Sequence, residues 1–395
     1  MKNLLIMTVG IGTAGKTSNL ANGLRNTIKM MQPYRFWLVP SSSGDSRAVA
    51  ELVAEGFSSF AGMLGPIENP DDLVCCRRTV RYAIREVKKI QKSDERLILN
   101  PTSGTKQMSA GATIAALDEM CGDIVFTTGE RADGVVKTGT EQIVPFDSTS
   151  YFIERDCQSA LKFFKAGDFY AAEQLLSSYK KQESRAHAVA ELCLKWQRFD
   201  YPGAASAAAK WDQNMKKALS ARAENVKNGR FDPRIVADLL AWSFFAFNHR
   251  DLENAVRLSY KALEYAARAF LEWDYHLSPD QYGKYPADTG DRLNLSFSCR
   301  NQLNMNGTKP LALGLYNLTC ILGDLKHPFA AEVNGELLEL SRLRNGNTHG
   351  IQPVGERESR DYCNKVRDAL CRLRSDFSPT KLPVDDLPLV NGSNA

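Results

Sequence analysis

The sequence predicts an α/β domain followed by an all-α domain. In residues 1–150, short apolar runs alternate with stretches that have helical periodicity. From residue 151 onward, strand signals disappear and helical patterns continue. Continuous apolar strands separated by helices are typical of a parallel sheet that is covered on both faces. We therefore predict a Rossmann-like parallel sheet at 1–150, a helical domain at 151–375, and a disordered tail at 376–395, which contains three prolines.

The elements of the first domain follow one another in the β-α order of such a sheet. Strands are predicted at 4–9, 35–39, 57–63, 96–99 and 123–128, with helices at 16–31, 47–55, 71–92 and 105–120, and a closing hairpin at 134–144. In parallel sheets, ligands bind beyond the carboxyl ends of the strands, where loops meet helix starts. A binding site is therefore expected at that edge.

The second domain begins with a helical hairpin at 157–176, which turns at Gly167 and Asp168. No second copy follows at that spacing, so a repeat array is not predicted. An amphipathic pair covers 234–277 with a break at Asp251 and Leu252, and an irregular insert rich in Pro, Gly and Asn is predicted at 279–310. Further helices are predicted at 310–324, 330–345 and 356–374.

The overall charge is weakly informative about partners. The formal net charge is +4, from 50 basic and 46 acidic residues. This balance neither requires nor excludes a nucleic-acid partner, since a local patch matters more than the total. No basic-then-apolar leader and no apolar run near 18 residues occurs, so we expect a cytoplasmic protein without a membrane partner.

The nine cysteines do not predict a metal site or a disulfide framework. None forms a C-x-x-C pair, and none is spaced with histidines as zinc sites require. Free cysteine usually behaves as a small buried hydrophobic residue. We therefore expect reduced, mostly buried thiols and no metal.

A glycine-rich loop follows the first strand and reads literally as G-x-x-x-x-G-K-T, from Gly10 to Thr17. In nucleotide hydrolases this loop cradles phosphates, and a carboxylate at the end of a buried strand helps to hold Mg²⁺. Here the best buried strand ends at Asn100, and the other strands end in threonines or in proline and serines. A P-loop NTPase is therefore disfavoured, and the Lys16–Thr17 pair is interpreted as coincidental.

A second loop of similar chemistry, "NPTSGTKQMSAGA", covers residues 100–112. Both loops combine hydroxyl groups, a lysine (Lys16 or Lys106) and backbone amides at a helix N-terminus. These groups bind phosphates without a metal, through backbone donors and the helix dipole. The alternative is that both loops are tight strand-to-helix turns with capping Ser and Thr residues.

Together, the two loops resemble the CARF sensor domain of type III CRISPR effectors. The resemblance covers residues 1–150 and implies a pocket at a two-fold dimer axis that holds a cyclic oligoadenylate. It does not indicate the ring size, nor whether the pocket cleaves its own ligand. The ligand-binding residues that it implies are Gly10, Gly12, Thr13, Asn100, Thr102, Ser103, Gly104, Thr105 and Lys106.

Near the end of the helical region, Arg344, Asn345 and His349 form an R-N-x-x-x-H motif. Arginine can stabilise charge that develops on a scissile phosphate, and histidine can transfer protons near neutral pH. On a helix, positions five apart lie about 140° around the axis, so two copies in a dimer would compose a better site. A helix-end salt bridge with a capping histidine explains the same residues equally well.

Residues 151–375 also resemble an α-helical HEPN domain, whose mark is R-x4–6-H with a polar residue after the arginine. A CARF sensor joined to a HEPN nuclease is the layout of ancillary ribonucleases of type III CRISPR systems. The resemblance implies a homodimer that cleaves single-stranded RNA without metal or cofactor at Arg344, Asn345 and His349. Cyclic tetra-adenylate or cyclic hexa-adenylate would activate it.

The 279–310 insert departs from a minimal HEPN domain and leaves the cleavage preference open. The alternative function is a non-catalytic sensor that recruits a partner.

Overall fold

The structure, a computed structural model, describes residues 2–11, 17–132, 135–305, 309–333, 335–341, 353–385 and 387–389. The chain divides into two compact units, Met1–Ile153 and Glu154–Ala395. The first unit contains a mixed α/β sheet and the second is built almost entirely from helices.

The first unit is organised around a six-stranded sheet with the strand order β3-β2-β1-β4-β5-β8. Its strands are β1 (Lys2–Val9), β2 (Arg35–Pro40), β3 (Phe60–Met63), β4 (Glu95–Asn100), β5 (Asp123–Thr128) and β8 (Gln142–Phe146). The first five strands pair in parallel, and β8 pairs antiparallel with β5. The short strands β6 (Arg131–Ala132) and β7 (Val135–Val136) form a separate ribbon. The predicted parallel sheet is therefore confirmed, while the closing segment is a ribbon followed by an edge strand.

Helices cover both faces of this sheet, which explains why its strands are continuous apolar runs. They are α1 (Thr17–Met31), α2 (Gly44–Ala54), α3 (Leu73–Ile90) and α4 (Lys106–Asp118). Successive residues of β1 point to opposite faces, so Leu4 and Ile6 pack in the core under α3 and α4. Leu5 and Met7 pack in the core under α1 and α2. Burial on both faces replaces the alternating pattern of a half-exposed strand.

The second unit follows as a series of helices, of which α5 begins before the boundary. They are α5 (Ser148–Lys165), α6 (Phe169–Ser177), α7 (Ser184–Gln197), α8 (Tyr201–Ala208), α9 (Gln213–Lys227), α10 (Pro233–Asn248), α11 (Leu252–Tyr275), α12 (Thr289–Arg292), α13 (Phe297–Gln302), α14 (Leu315–Asp324), α15 (Pro328–Glu332), α16 (Gly335–Leu340) and α17 (Glu356–Leu373). Aspartate side chains cap the first turns of α6, α8, α9, α10 and α11. In the part of the chain that the structure describes, no helix has the length and apolar character needed to cross a bilayer.

A buried charge network joins the helices of the second unit. The Asp238 carboxylate, fully buried on α10, accepts hydrogen bonds from Trp196 Nε1 at 3.0 Å and Tyr201 OH at 3.1 Å. The Arg222 guanidinium pairs with the same carboxylate, with Nη2 at 3.2 Å from Oδ1. A fourth donor, Thr380 Oγ1, lies 2.6 Å from Oδ1. A buried carboxylate needs such donors because its desolvation is otherwise uncompensated.

The predicted disorder of the tail is wrong for residues 376–385. A short 3-10 helix, Ser375–Phe377, follows α17, and the ring of Phe377 is fully buried 5.9 Å from that of Phe270. Thr380 then binds Asp238, and Leu382 is buried. Proline content predicts the absence of helix, but it does not prevent a segment from packing as extended chain.

The 279–310 insert is also more ordered than its composition predicts. Its described residues form β9 (Lys284–Tyr285) and the helices α12 and α13, and β9 pairs with β10 (Leu311–Ala312). Tyr285, Leu293 and Cys299 are buried. Short elements of this kind escape prediction because they extend over too few residues to show a period.

Candidate ligand-binding site

A cavity of about 700 Å³ opens at the carboxyl ends of β1, β2, β4 and β5. Strand β1 lies between β2 and β4, so the loops that follow β1 and β4 lead to helices on opposite faces of the sheet. This divergence creates a crevice at the sheet edge, as in other doubly wound folds. Among the predicted ligand-binding residues, those that line the cavity are Gly10, Thr102, Ser103, Gly104, Thr105 and Lys106. Gly12 and Thr13 lie outside the described residues.

The two predicted loops contact each other directly. Thr8 Oγ1 donates a hydrogen bond to the Ser103 carbonyl oxygen at 2.6 Å, and Gly10 N donates to Ser103 Oγ at 3.0 Å. A Cβ atom added to Gly10 would lie 2.5 Å from Gly104 Cα, closer than any real contact of this type. Gly104 itself has a φ of +119°, in the region that favours glycine. The glycines therefore allow the two backbones to approach at the floor of the cavity.

Asn100 supports the second loop from below. It is 1% exposed, and its Oδ1 accepts a hydrogen bond from Thr102 N at 3.1 Å. Its Nδ2 donates to Thr127 Oγ1 at 2.8 Å, and Thr127 N donates to Thr102 Oγ1 at 2.8 Å. Asn100 does not line the cavity, so its contacts make it a residue that positions the loop.

The N-terminus of α4 faces the cavity with its first residues. Thr105 is the N-cap: its Oγ1 accepts a hydrogen bond from Met108 N at 3.2 Å and donates to the Pro70 carbonyl oxygen. For Thr105, the alternative interpretation of a capped turn is therefore correct. The cap leaves other first-turn amides of α4 available, and the exposed Lys106 adds a positive charge beside them. Such a helix start attracts anions.

Several residues of the cavity were not singled out from the sequence. They are Asn19, Gly23 and Thr27 on α1, Ser41 and Ser43 after β2, Thr127 on β5, and Glu141 before β8. Ser41 and Ser43 follow the buried strand β2 and Thr127 lies near the end of β5, which is a signal that the sequence itself carries. The α1 residues and Glu141 carry no local signal, because the fold alone brings them to the cavity.

The ends of the parallel strands carry no carboxylate. The final residues of β1 to β5 are Val9, Pro40, Met63, Asn100 and Thr128. The NTPase hypothesis requires an Mg²⁺-binding aspartate at a strand end. On β4 that position is occupied by Asn100, whose side-chain amide forms hydrogen bonds within the second loop and to β5. This arrangement continues to disfavour an NTPase.

The predicted catalytic residues Arg344, Asn345 and His349 lie outside the described residues. In the chain they fall between α16 and α17. The described residues on either side are linked, because Ser341 Oγ lies 3.2 Å from Tyr362 OH and both side chains are buried. The assignment of these three residues therefore stays a prediction from the sequence.

Comparison with known proteins identifies the architecture. Neither a family model nor a curated protein matches this sequence. Among solved structures, the chain is similar to Enterococcus italicus Csm6 bound to cyclic hexa-2′-fluoro-hexa-dAMP, with a TM-score of 0.60 over 95% of each chain and 13% sequence identity. The chain therefore shares the fold of Csm6, and its α/β unit followed by a helical unit is consistent with the CARF-plus-HEPN architecture that the sequence predicted.

Proposed function

We propose that this protein is a metal-independent endoribonuclease that cleaves single-stranded RNA when a cyclic oligoadenylate binds to its N-terminal domain. In this proposal, residues 1–150 form the sensor domain and residues 151–375 form the nuclease domain. The observation that supports it best is the cavity at the strand ends, where Ser103, Gly104 and Lys106 surround a helix N-terminus. The similar fold of Csm6 is known with a cyclic hexanucleotide bound.

The sensor site is suited to a ligand with several phosphates. The first turn of α4 offers backbone N–H groups, and Lys106 offers an exposed ammonium group. A volume of about 700 Å³ exceeds what an isolated phosphate needs and lies in the usual range for small-molecule sites. We propose that Gly10, Gly12 and Thr13 of the first loop complete this site.

The proposed reaction uses the RNA's own 2′-hydroxyl group. Its oxygen attacks the adjacent phosphorus, the bond from phosphorus to the 5′-oxygen breaks, and the proton of the 2′-hydroxyl ends on that leaving oxygen. His349 would transfer the proton, and Arg344 would stabilise the charge that develops on the phosphoryl oxygens. Asn345 would offer a hydrogen-bond donor and acceptor beside them.

We propose that the protein acts as a homodimer in which two copies of the motif form one composite site. The ligand can shift the dimer toward the productive arrangement only by the difference between its affinities for the productive and the unproductive arrangement. This requirement makes ligand binding and RNA cleavage separable by mutation.

A fluorophore–quencher RNA cleavage assay in excess EDTA tests the proposal. Cyclic tetra-adenylate, cyclic hexa-adenylate and ATP are added in parallel to the full chain. We expect cleavage with one cyclic ligand, and a loss of about 100-fold or more in the His349→Ala variant, which should still bind that ligand. The matched control is His276→Asn, at an exposed C-cap whose φ of +54° asparagine tolerates.

The outcomes separate the three functions. Tight binding of a ring without RNA cleavage would favour the non-catalytic sensor that recruits a partner. Turnover of ATP that is lost in Lys16→Ala would favour the NTPase. Cleavage that persists in His349→Ala would contradict the assigned catalytic residues.

A further inference from the structure

A buried carboxylate with an incomplete set of partners lies in the same cavity. Glu141, between β7 and β8, is 8% exposed and lines the cavity. Its Oε2 accepts hydrogen bonds from Gly139 N at 2.7 Å and from Asn26 Nδ2 at 3.4 Å. Its Oε1 is buried and has no hydrogen-bond partner among the residues that the structure describes. Burying a carboxylate oxygen without a hydrogen-bond donor is unfavourable, so this atom is suited to accept a hydrogen bond from a ligand.

Helix α1 leaves room for this carboxylate. Gly23 lies in the interior of α1, where glycine stabilises a helix less than alanine does. A Cβ atom at Gly23 would lie 3.2 Å from Glu141 Oε1. The glycine therefore allows the carboxylate to lie close to α1, and both residues line the cavity.

The chemistry around Glu141 favours a nucleobase over a phosphate. A carboxylate repels phosphate oxygens, which are better received by Lys106 and the start of α4. The apolar side chains of Leu20, Leu24 and Val136 also line the cavity and are suited to the face of a base. An amino group on that base would supply the donor that Oε1 lacks.

We propose that Glu141 determines the base specificity of the sensor, by accepting a hydrogen bond from the exocyclic amino group of adenine. This inference rests on the proposed function, because it assumes that the cavity binds a cyclic oligonucleotide. Hypoxanthine carries a carbonyl oxygen where adenine carries the amino group. Two acceptors facing each other repel, so Glu141 would select against hypoxanthine as well as for adenine.

Isothermal titration calorimetry with the full chain tests this assignment. The ligands are cyclic tetra-adenylate and cyclic hexa-adenylate, the hypoxanthine analogue of each ring, and the 2′-fluoro analogue of each adenine ring. The variants are Glu141→Gln and, as a matched control, Glu130→Gln. The side chain of Glu130 is 71% exposed and pairs with Lys137 near the same turn.

We expect the wild-type chain to bind its adenine ring at least about tenfold more tightly than the hypoxanthine ring. In Glu141→Gln, the amide oxygen keeps the hydrogen bond from Gly139 N, so the amide NH₂ group replaces Oε1. We expect adenine-ring affinity to fall about ten- to a hundredfold, while the preference over hypoxanthine narrows or inverts. Because two ligands are compared on one variant, partial unfolding cannot produce this inversion.

The other outcomes overturn the assignment in distinguishable ways. An unchanged preference in Glu141→Gln would remove the specificity role and leave the proposed function standing. Consider a 2′-fluoro ring that binds the wild-type chain more weakly than the 2′-hydroxyl ring does. If Glu141→Gln binds these two rings equally well, Oε1 would be assigned to a ribose hydroxyl group. If the wild-type chain binds no cyclic oligoadenylate, the proposed function fails and this inference fails with it.

Discussion

Individual glycines decide how closely the two loops of the sensor cavity approach. Gly10 and Gly104 meet backbone to backbone, at a distance that leaves no space for a side chain on Gly10. This contact also brings Gly10 N to Ser103 Oγ, where it donates a hydrogen bond. The geometry of the cavity floor therefore depends on the absence of one methyl group.

The Gly10→Ala variant is expected to lose both stability and ligand affinity. Its methyl group would force the loops apart, at a cost of about 1–3 kcal/mol in the free energy of unfolding. The hydrogen bond from Gly10 N would lengthen, and the ligand would meet a displaced floor. Urea unfolding measures the first effect and calorimetric titration with a cyclic oligoadenylate measures the second.

The matched control is Gly44→Ala, at the first residue of α2. A Cβ atom at Gly44 meets nothing within 4 Å, so stability should be unchanged or slightly increased. Equal stability and affinity in the two variants would contradict the importance assigned to the Gly10–Gly104 contact.

At the scale of elements, α4 is held in place by the basic face of α3. Arg81 Nε and Arg85 Nη2 lie 2.5 and 2.9 Å from Glu119 Oε1, just beyond the end of α4. Lys88 Nζ donates to the Glu119 carbonyl oxygen at the same place. Cations near a helix C-terminus also interact favourably with its dipole. This clamp supports the helix whose other end contributes to the cavity.

The Glu119→Gln variant should reveal the contribution of this clamp through its pH dependence. Hydrogen bonds from Arg85 and Arg81 lower the pKa of the Glu119 carboxyl below its usual value of 4.5. A lowered pKa gives stability that is present above the unfolded-state pKa and is lost as the pH falls through the folded-state pKa. At pH 7 we expect the variant to be less stable, because it loses the ion pairs with both arginines. The loss should be only about 1 kcal/mol in the free energy of unfolding, since partial exposure of the arginines weakens these pairs.

Urea unfolding at pH 7 and at several values below pH 4.5 measures this difference. The control is Asp94→Asn, which removes an exposed carboxylate 3.8 Å from Lys2 Nζ. A stability difference for Glu119→Gln that does not shrink in acid would show that shape, and not charge, determines the role of this residue.

At the scale of the whole molecule, the cysteines behave as core residues of both units. All nine are free; seven are buried, and Cys320 and Cys371 are half-buried. Burial raises the thiol pKa of Cys121 to about 11 and raises that of Cys193 further. The prediction of free, mostly buried thiols is therefore confirmed.

Thiol titration of the native chain with a disulfide reagent at pH 8 is expected to show two rapid reactions. Cys320 and Cys371 should react first, because burial shields the other thiols from the reagent. For Cys121 and Cys193, the raised pKa also reduces the population of the thiolate, which is the nucleophile. All nine should react after denaturation. The double variant Cys320→Ser with Cys371→Ser should lose the rapid phase, and Cys121→Ala should keep it. A rapid phase that includes more than two thiols would contradict the burial of the others.

The sequence alone determined the fold class and one half of the cavity. Local periodicity encodes whether a segment forms a strand or a helix, and parallel strands bring their following loops to one edge. For this reason Gly10, Ser103 and Lys106 could be predicted to lie together. Arg344, Asn345 and His349 were found by spacing alone, and their roles stay predictions.

Only the tertiary structure decided which distant residues complete the site and the core. Glu141 meets Asn26 across 115 positions in the chain, and Thr380 meets Asp238 across 142. Neither pair has a local pattern, because a sequence period describes the backbone of one segment and not its neighbours in space. The buried Oε1 of Glu141 is visible only once the sheet edge, α1 and the turn before β8 have been packed together, since desolvation is a property of the assembled fold.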